Sequence, residues 1–256
     1  MTEQDDHTAD LIVELSAAAG GLAHEIRNAL STLRMNLQLL DEDWGRLEED
    51  EHRTDFDAMR SAGDRLGVAR RSRKRLDTLL RETRRLESIL EDFLQFIRRR
   101  ELKIEDADLN QVIAEIVEFY RPQADAGGLQ MLFSPADQPL PCRIDVRLIK
   151  QAVLNLLINA QQAAGMNGRL SIATSCHDDG TYRIRVSDSG PGIPSDQIGR
   201  VFEAYYSTKK GGTGLGLTLA RQIVQAHAGH IIASSPPGEG ACFTIELAAH
   251  PQSPTA

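Results

Sequence analysis

Three short runs decide how this chain is read: Asn155-Leu-Leu-Ile-Asn-Ala160, Asp188-Ser-Gly-Pro-Gly-Ile193 and Lys209-Lys-Gly-Gly-Thr-Gly-Leu-Gly-Leu217. The first lies in a stretch, Arg147 to Ala164, whose apolar residues Leu148, Ala152, Leu156 and Leu157 share one helical face. Asn155 and Asn159 then stand one turn apart on a neighbouring face. Asparagine mildly disfavours a helix interior, so two at this spacing are either an ordinary surface pair or polar groups with a task. Asp188 ends a strand-like run, Thr181 to Asp188, and Gly190 and Gly192 after it allow a tight turn and a close approach of backbone. Gly212, Gly214 and Gly216 open a helix-like run, and a helix N-terminus behind a glycine-rich loop can present N–H groups to phosphate. Each run alone is a weak signal, because such patterns arise by chance. Their fixed order is a strong one.

Upstream stands His24-Glu-Ile-Arg-Asn-Ala-Leu30. With this box ahead of them, the three runs resemble the GHKL ATPases of the histidine-kinase type, and the resemblance extends from about Ala18 to Leu247. It implies an α/β sandwich (the Bergerat fold) that holds ATP between helices and a flexible lid, Pro191 to Gly214. It implies further that Asn159 binds a magnesium ion bridging the phosphates, with Asn155 beside the same triphosphate. Asp188 would accept a hydrogen bond from the adenine amino group, which guanine cannot donate at that position. Gly190 and Gly192 would lie against the base, Lys209 would reach the terminal phosphates, and Gly212, Thr213, Gly214, Leu215 and Gly216 would line them. Upstream, the resemblance makes His24 the phosphoryl acceptor and Glu25 the carboxylate that supports its imidazole. Asn28 becomes the residue that positions water for dephosphorylating a partner. Ala29 and Ala204 stand where the family commonly has proline, and Tyr205 replaces a second aromatic after Phe202.

Composition narrows the class. The chain has 256 residues, 41% of them hydrophobic, which is room for about two domains with cores of their own. A net charge of -8 argues against broad binding to nucleic acid or anionic membranes. No run approaches the roughly 18 apolar residues of a membrane span, and the acidic N-terminus is unlike a secretion signal. Cys142, Cys176 and Cys242 lack metal-ligand spacing, and an odd number suits reduced thiols. A cytoplasmic setting is expected.

The N-terminal half is helical in pattern. Leu15, Ala19, Leu22, Ile26, Ala29, Leu33, Leu37, Leu40, Trp44 and Leu47 recur at steps of three and four, and so do Leu76, Leu79, Thr83, Leu86, Leu90, Phe93 and Ile97. Such seams belong to paired helices. A lone hairpin buries too little, so dimerisation into a four-helix bundle is expected. Residues 41–57 carry nine acids and residues 60–75 a run of arginines, read as facing arms of the hairpin in solvent, with the turn near Gly63. His24 falls two residues from both Leu22 and Ile26, about 200° from the seam.

After Arg100 the period changes. A linking strand ends at a helix cap, Asp108, an amphipathic helix follows until Arg121-Pro-Gln-Ala-Asp-Ala-Gly-Gly128 breaks it, and short strands then mix with helices. That mixture suggests a sheet with helices on one face. The expected class is α+β: residues 1–101 a dimerising helical hairpin, 102–250 the ATP-binding domain, 251–256 a disordered tail. The function expected from the resemblance is a homodimeric two-component histidine kinase that uses ATP and Mg2+. It would pass a phosphoryl group from His24 to an aspartate of a response-regulator receiver domain, with phosphatase activity toward that regulator. Two alternatives stand beside it: a dimeric scaffold that binds ATP without catalysis, and another GHKL activity such as a serine kinase.

Overall fold

A computed structural model describes residues 3–51, 58–97, 101–177, 179–208 and 214–249. The chain divides into two compact units, Met1–Ile97 and Arg98–Ala256. The first unit is an antiparallel pair of long helices, α1 (Glu3–Glu51) and α2 (Ala58–Ile97). Ala29, Val68 and Ile89 are buried within it. Gly63, expected at the turn, lies inside α2; the connection falls at residues 52–57, outside the described residues. A single glycine costs a helix only about 1 kcal/mol, and packing of α2 on α1 outweighs that. The charged arms also depart from expectation. Asp43 is buried rather than solvated, its carboxylate accepting from Arg75, which also donates to the Leu39 carbonyl. Arg71 stands 3.8 Å from the same carboxylate, and the Trp44 indole donates to Ser72. A buried pair of this kind fixes the register of two helices more than it stabilises them. At Ala29 α1 continues unbroken, as expected where no proline removes a backbone donor.

The second unit is a mixed sheet with three helices, so the α+β class holds. In order it contains β1 (Glu105–Asp108), α3 (Leu109–Ala126), β2 (Gln130–Ser134), β3 (Pro141–Ile144) and α4 (Val146–Ala164). There follow β4 (Arg169–Cys176), β5 (Thr181–Asp188), α5 (Gly216–Ala226), β6 (His230–Ser234) and β7 (Cys242–Ala248). Five strands form one sheet in the order β2-β4-β5-β7-β6, parallel only between β2 and β4, while β1 and β3 pair separately. Burial alternates along β4, β5 and β7, so one face is covered and the other open. The covered face (Ile172, Ile184, Val186, Phe243 and Ile245 among others) shares one core with Ile113 of α3, Leu156 of α4 and Val224 of α5. α3 runs through Pro122 to Ala126 instead of breaking at Arg121-Pro. Tyr120 and Ala124 are buried on either side of that proline, and their packing carries the helix past it.

Caps set where the helices start. Asp108 accepts from the N–H groups of Asn110 and Leu140, tying the start of α3 to β3. Asp145 does more. One oxygen accepts from Leu148 N–H in the first turn of α4, and the other accepts from Lys103 N–H, each at 3.0 Å. Its own N–H donates to Nε2 of His227 at the end of α5, so one residue ties three segments. Burial opposes the Asp145 charge, but those two N–H donors and Arg147 outweigh it and hold the carboxyl below its ordinary range.

Asp145→Ala is therefore expected to lower the unfolding free energy of this unit by about 1–3 kcal/mol at neutral pH. A group with a depressed native pKa stabilises above its unfolded pKa, about 3.9, and loses that contribution as pH falls through the native value. The difference between wild type and variant in urea melts should thus persist at pH 5–7 and shrink steadily below about pH 4.

Candidate functional site

α4 positions its two asparagines by burying what flanks them. Leu156, Leu157 and Ala160 have no exposed surface, which fixes the roll of the helix and leaves Asn155 and Asn159 half-buried on its adjacent face. The Asn155 amide nitrogen is buried and has no hydrogen-bond partner among the described residues. A buried N–H left unsatisfied is costly, so this donor suits an anionic oxygen brought by a ligand. The amide oxygens one turn apart are hard donors of the type that Mg2+ accepts. Among the described residues no cluster of three or more His, Cys, Asp or Glu could hold a metal.

At the C-terminal end of α4 the helix meets the turn after β5. A Cβ on Gly190 would fall 2.6 Å from the Ala163 carbonyl oxygen, so only glycine lets this turn lie against α4. Asp188, the last residue of β5, is 4% exposed. Its Oδ1 accepts from Gly190 N–H at 2.8 Å and from Ala241 N–H at 3.4 Å, which hold the carboxylate across the turn and the start of β7. Gly240 has φ +80°, and a Cβ there would come within 2.0 Å of the Asp188 carbonyl oxygen. Ser235 closes the group: its hydroxyl accepts from Ile193 N–H at 2.8 Å and donates to the Gly240 carbonyl at 2.7 Å.

Among the described residues, Phe202 anchors the segment between β5 and α5. Phe202 is buried, edge-on to Phe243 with ring centroids 6.1 Å apart, so the expected lid, Pro191 to Gly214, is pinned to the core midway. Thr218, 1% exposed in the first turn of α5, lies with its hydroxyl 3.1 Å from the Phe202 carbonyl oxygen. Beyond the anchor, Tyr205 adopts φ +62° and donates its N–H to the Gly214 carbonyl at 3.2 Å. Arg200 stacks over the Tyr206 ring at 4.5 Å. α5 opens at Gly216 without a side-chain cap, and the Leu215 side chain is buried, so these two residues can face a ligand only through their backbone.

Asn155, Asn159, Asp188, Gly190, Gly192, Gly214, Leu215 and Gly216 thus belong to one unit, with Asp188 bonded to Gly190, which lies against the end of α4. Lys209, Gly212 and Thr213 lie outside the described residues. His24, Glu25 and Asn28 belong to the other unit, on α1, where Asn28 is exposed. Sequence reading missed Thr218, Ser235 and Ala241. A threonine four residues after Gly214 was a readable sign, since its hydroxyl can return to a carbonyl one turn back. Ser235 and Ala241 act through folding contacts distant in sequence and gave no sign.

The glycines separate packing from ligand contact. Nothing in the described residues lies within 4 Å of a Cβ on Gly216, whereas Gly190 has no room for one. Gly216→Ala should leave the melting temperature unchanged or raise it, since alanine suits a helix better by about 0.5–1 kcal/mol. If backbone at Gly216 faces a phosphate, the same variant should weaken ATP binding in calorimetry. Gly190→Ala should lower both.

Comparison with known proteins places these features in a family. Residues 144–251 match the family model for the histidine kinase-, DNA gyrase B- and HSP90-like ATPase, and residues 14–68 match the His Kinase A (phospho-acceptor) domain. Sensor histidine kinase ZraS of Klebsiella oxytoca is 34% identical over 238 residues, which is 92% of this chain and 46% of that protein. Signal transduction histidine-protein kinase AtoS of Escherichia coli K12 is 29% identical over 244 residues, 95% of this chain and 36% of that protein. The chain spans less than half the length of either relative. Among solved structures, the catalytic domain of histidine kinase ThkA is 30% identical and superposes with a TM-score of 0.53, covering 57% of this chain and 96% of that one. ThkA in complex with response regulator TrrA superposes over 98% of this chain and 66% of that one at a TM-score of 0.72; at 24% identity the likeness is one of fold. No helix among the described residues is long and apolar enough to cross a membrane. With an acceptor-type helical region ahead of a GHKL ATPase-type unit, the chain belongs to the histidine kinase family as a HisKA–HATPase catalytic core.

Proposed function

We propose that this chain autophosphorylates His24 from ATP and passes the phosphoryl group to an aspartate of a response regulator. The observation that carries the reading is the junction at Asp188. A buried carboxylate, oriented by two backbone N–H groups, sits beside the turn that packs on the asparagine-bearing helix. Such a carboxylate accepts the adenine amino group at the closed end of a pocket. Asn155 Nδ2 donates to a phosphate oxygen, and the backbone N–H groups of Leu215 and Gly216 face the phosphates at the start of α5. Lys209 adds a point charge. The Asn159 amide oxygen would hold Mg2+, which when bound would supply neutralisation of the phosphate charge. At the acceptor, one imidazole nitrogen of His24 attacks the γ-phosphorus, ADP leaves, and Glu25 accepts the proton carried by the other nitrogen. Asn28, one turn on, holds water against the acyl phosphate of the regulator and gives the chain a phosphatase activity. A reaction that consumes ATP and serves a regulator suits the cytoplasm.

The helical unit, residues 1–101 in this reading, also supports a homodimer. Leu30, Leu37 and Trp44 are exposed at heptad spacing on α1, and Leu76, Leu80, Leu90 and Leu94 are exposed on α2. Two such hairpins joined along these stripes make a four-helix bundle. Residues 102–250 form the ATP-binding part of the same reading.

Incubation with γ-labelled ATP tests the chemistry. Label is expected to be acid-labile and base-stable, and absent from His24→Gln while that variant still binds ATP. Acid-stable label would point to a serine kinase, and no label on a protein that binds ATP would point to a scaffold. Once a regulator that accepts the label is found, Asn28→Ala should keep autophosphorylation within a few-fold yet slow regulator dephosphorylation about tenfold or more. Dephosphorylation at the wild-type rate would make Asn28 plain helix surface.

Association is tested separately. Leu37→Glu places a charge in the exposed stripe and should raise the dimer dissociation constant by at least about tenfold in sedimentation equilibrium. A Leu37→Glu protein with unchanged mass would remove this face from the interface.

A further inference from the structure

Ser235 lies where β6 gives way to the turn Pro236-Pro-Gly-Glu-Gly240, far in sequence from every residue assigned above to the nucleotide. Its hydroxyl joins the two backbone segments that flank Asp188. It accepts from Ile193 N–H, at the end of the glycine turn after β5, and donates to the carbonyl of Gly240, before β7. Both bonds are short, 2.8 and 2.7 Å, and a hydroxyl can donate once while it accepts. The surroundings are tight: a Cβ on Gly192 would fall 2.5 Å from the Ser235 oxygen and 3.3 Å from the Gly240 carbonyl oxygen. On the far side, Gly240 leads into Ala241, whose N–H donates to Asp188 Oδ1 and whose carbonyl accepts from Asp188 N–H at 2.9 Å.

We infer that Ser235 is a positioning residue for the base of the bound nucleotide, an inference that rests on the reading of Asp188 as the adenine acceptor. The argument is one of constraint. Asp188 Oδ1 is aimed by two donors, Gly190 N–H and Ala241 N–H, which belong to the two segments that Ser235 ties together. If the tie is lost, Gly192–Ile193 and Gly240–Ala241 can separate, and the donor at 3.4 Å, already the longer of the two, is the first to go. A carboxylate that swings discriminates less well between an amino group and the carbonyl that guanine presents, because specificity depends on a fixed unmatched contact. Ser235 therefore acts on which base is held and how tightly, and it touches neither the phosphates nor the transfer step.

Affinities for ATP and GTP by calorimetry, with steady-state autophosphorylation, test this on the full chain. Ser235→Ala is expected to weaken ATP about five- to tenfold, in keeping with one or two lost hydrogen bonds, and GTP by less, so that the ATP-to-GTP preference narrows. KM for ATP should rise by the same factor while kcat at saturation falls by less than about twofold; a general loss of folded protein would lower kcat and leave KM alone. Ser235→Thr, which keeps the hydroxyl, should retain the preference. If Ser235→Ala does not fold, Ser235→Cys, close in volume but a weak donor, is read in the same way. Equal weakening of ATP and GTP, or an ATP affinity within twofold of wild type, overturns the inference and leaves the ATP reading standing. A wild-type protein that binds no ATP overturns both.

Discussion

A carboxylate taken out of water must be compensated, and the nucleotide-binding half of this chain is arranged around that requirement at Asp188. Moving such a group into the interior costs several kcal/mol unless donors replace the lost water. The donors here are backbone N–H groups of Gly190 and Ala241, and backbone can supply them only if the chain passes very close. Close passage explains the glycines: Gly190 lies against the Ala163 carbonyl and Gly240 against that of Asp188. The ends of β5 and α4 and the start of β7 are therefore mutually dependent. Their geometry is a property of the whole unit.

The helical half solves a different problem with similar means. Two long helices with apolar seams can slide by a turn at little cost, since leucines are alike. Asp43, buried and held by Arg75, has only one register in which its charge is met. The apolar stripes left exposed on both helices then point outward in a defined relation to one another.

The sequence made the elements readable where a physical period was strong. The alternation of β4 and β5, the one-faced helix of α4 and the cap at Asp108 all follow from residues a few positions apart. Errors came where tertiary packing overruled a local sign. Gly63 and Pro122 are local breakers, yet both lie inside helices whose buried faces outweigh them. Asp43 looked like one acid among many in a solvated arm, and nothing nearby in sequence reveals that Arg75 reaches it. The same holds at the candidate site. Asp188 and the glycines form a local pattern, whereas Ser235 and Ala241 reach it only because β6 and β7 fold back beside β5.

The clamp between Tyr205 and Gly214 has a bearing on how such a chain diversifies. Phe202 and Thr218 secure the flanks, and the Tyr205 N–H to Gly214 carbonyl bond joins the ends of the intervening segment. A loop closed in this way exerts little leverage on the sheet. Lengthening it costs only the logarithm of its length, about 0.6 kcal/mol per doubling. Insertions and substitutions between those ends are thus cheap for folding. Over generations the length of this stretch can change wherever the phosphate-facing residues are kept, while the packing of β5 and β7 against α4 beside it stays under strict selection for shape.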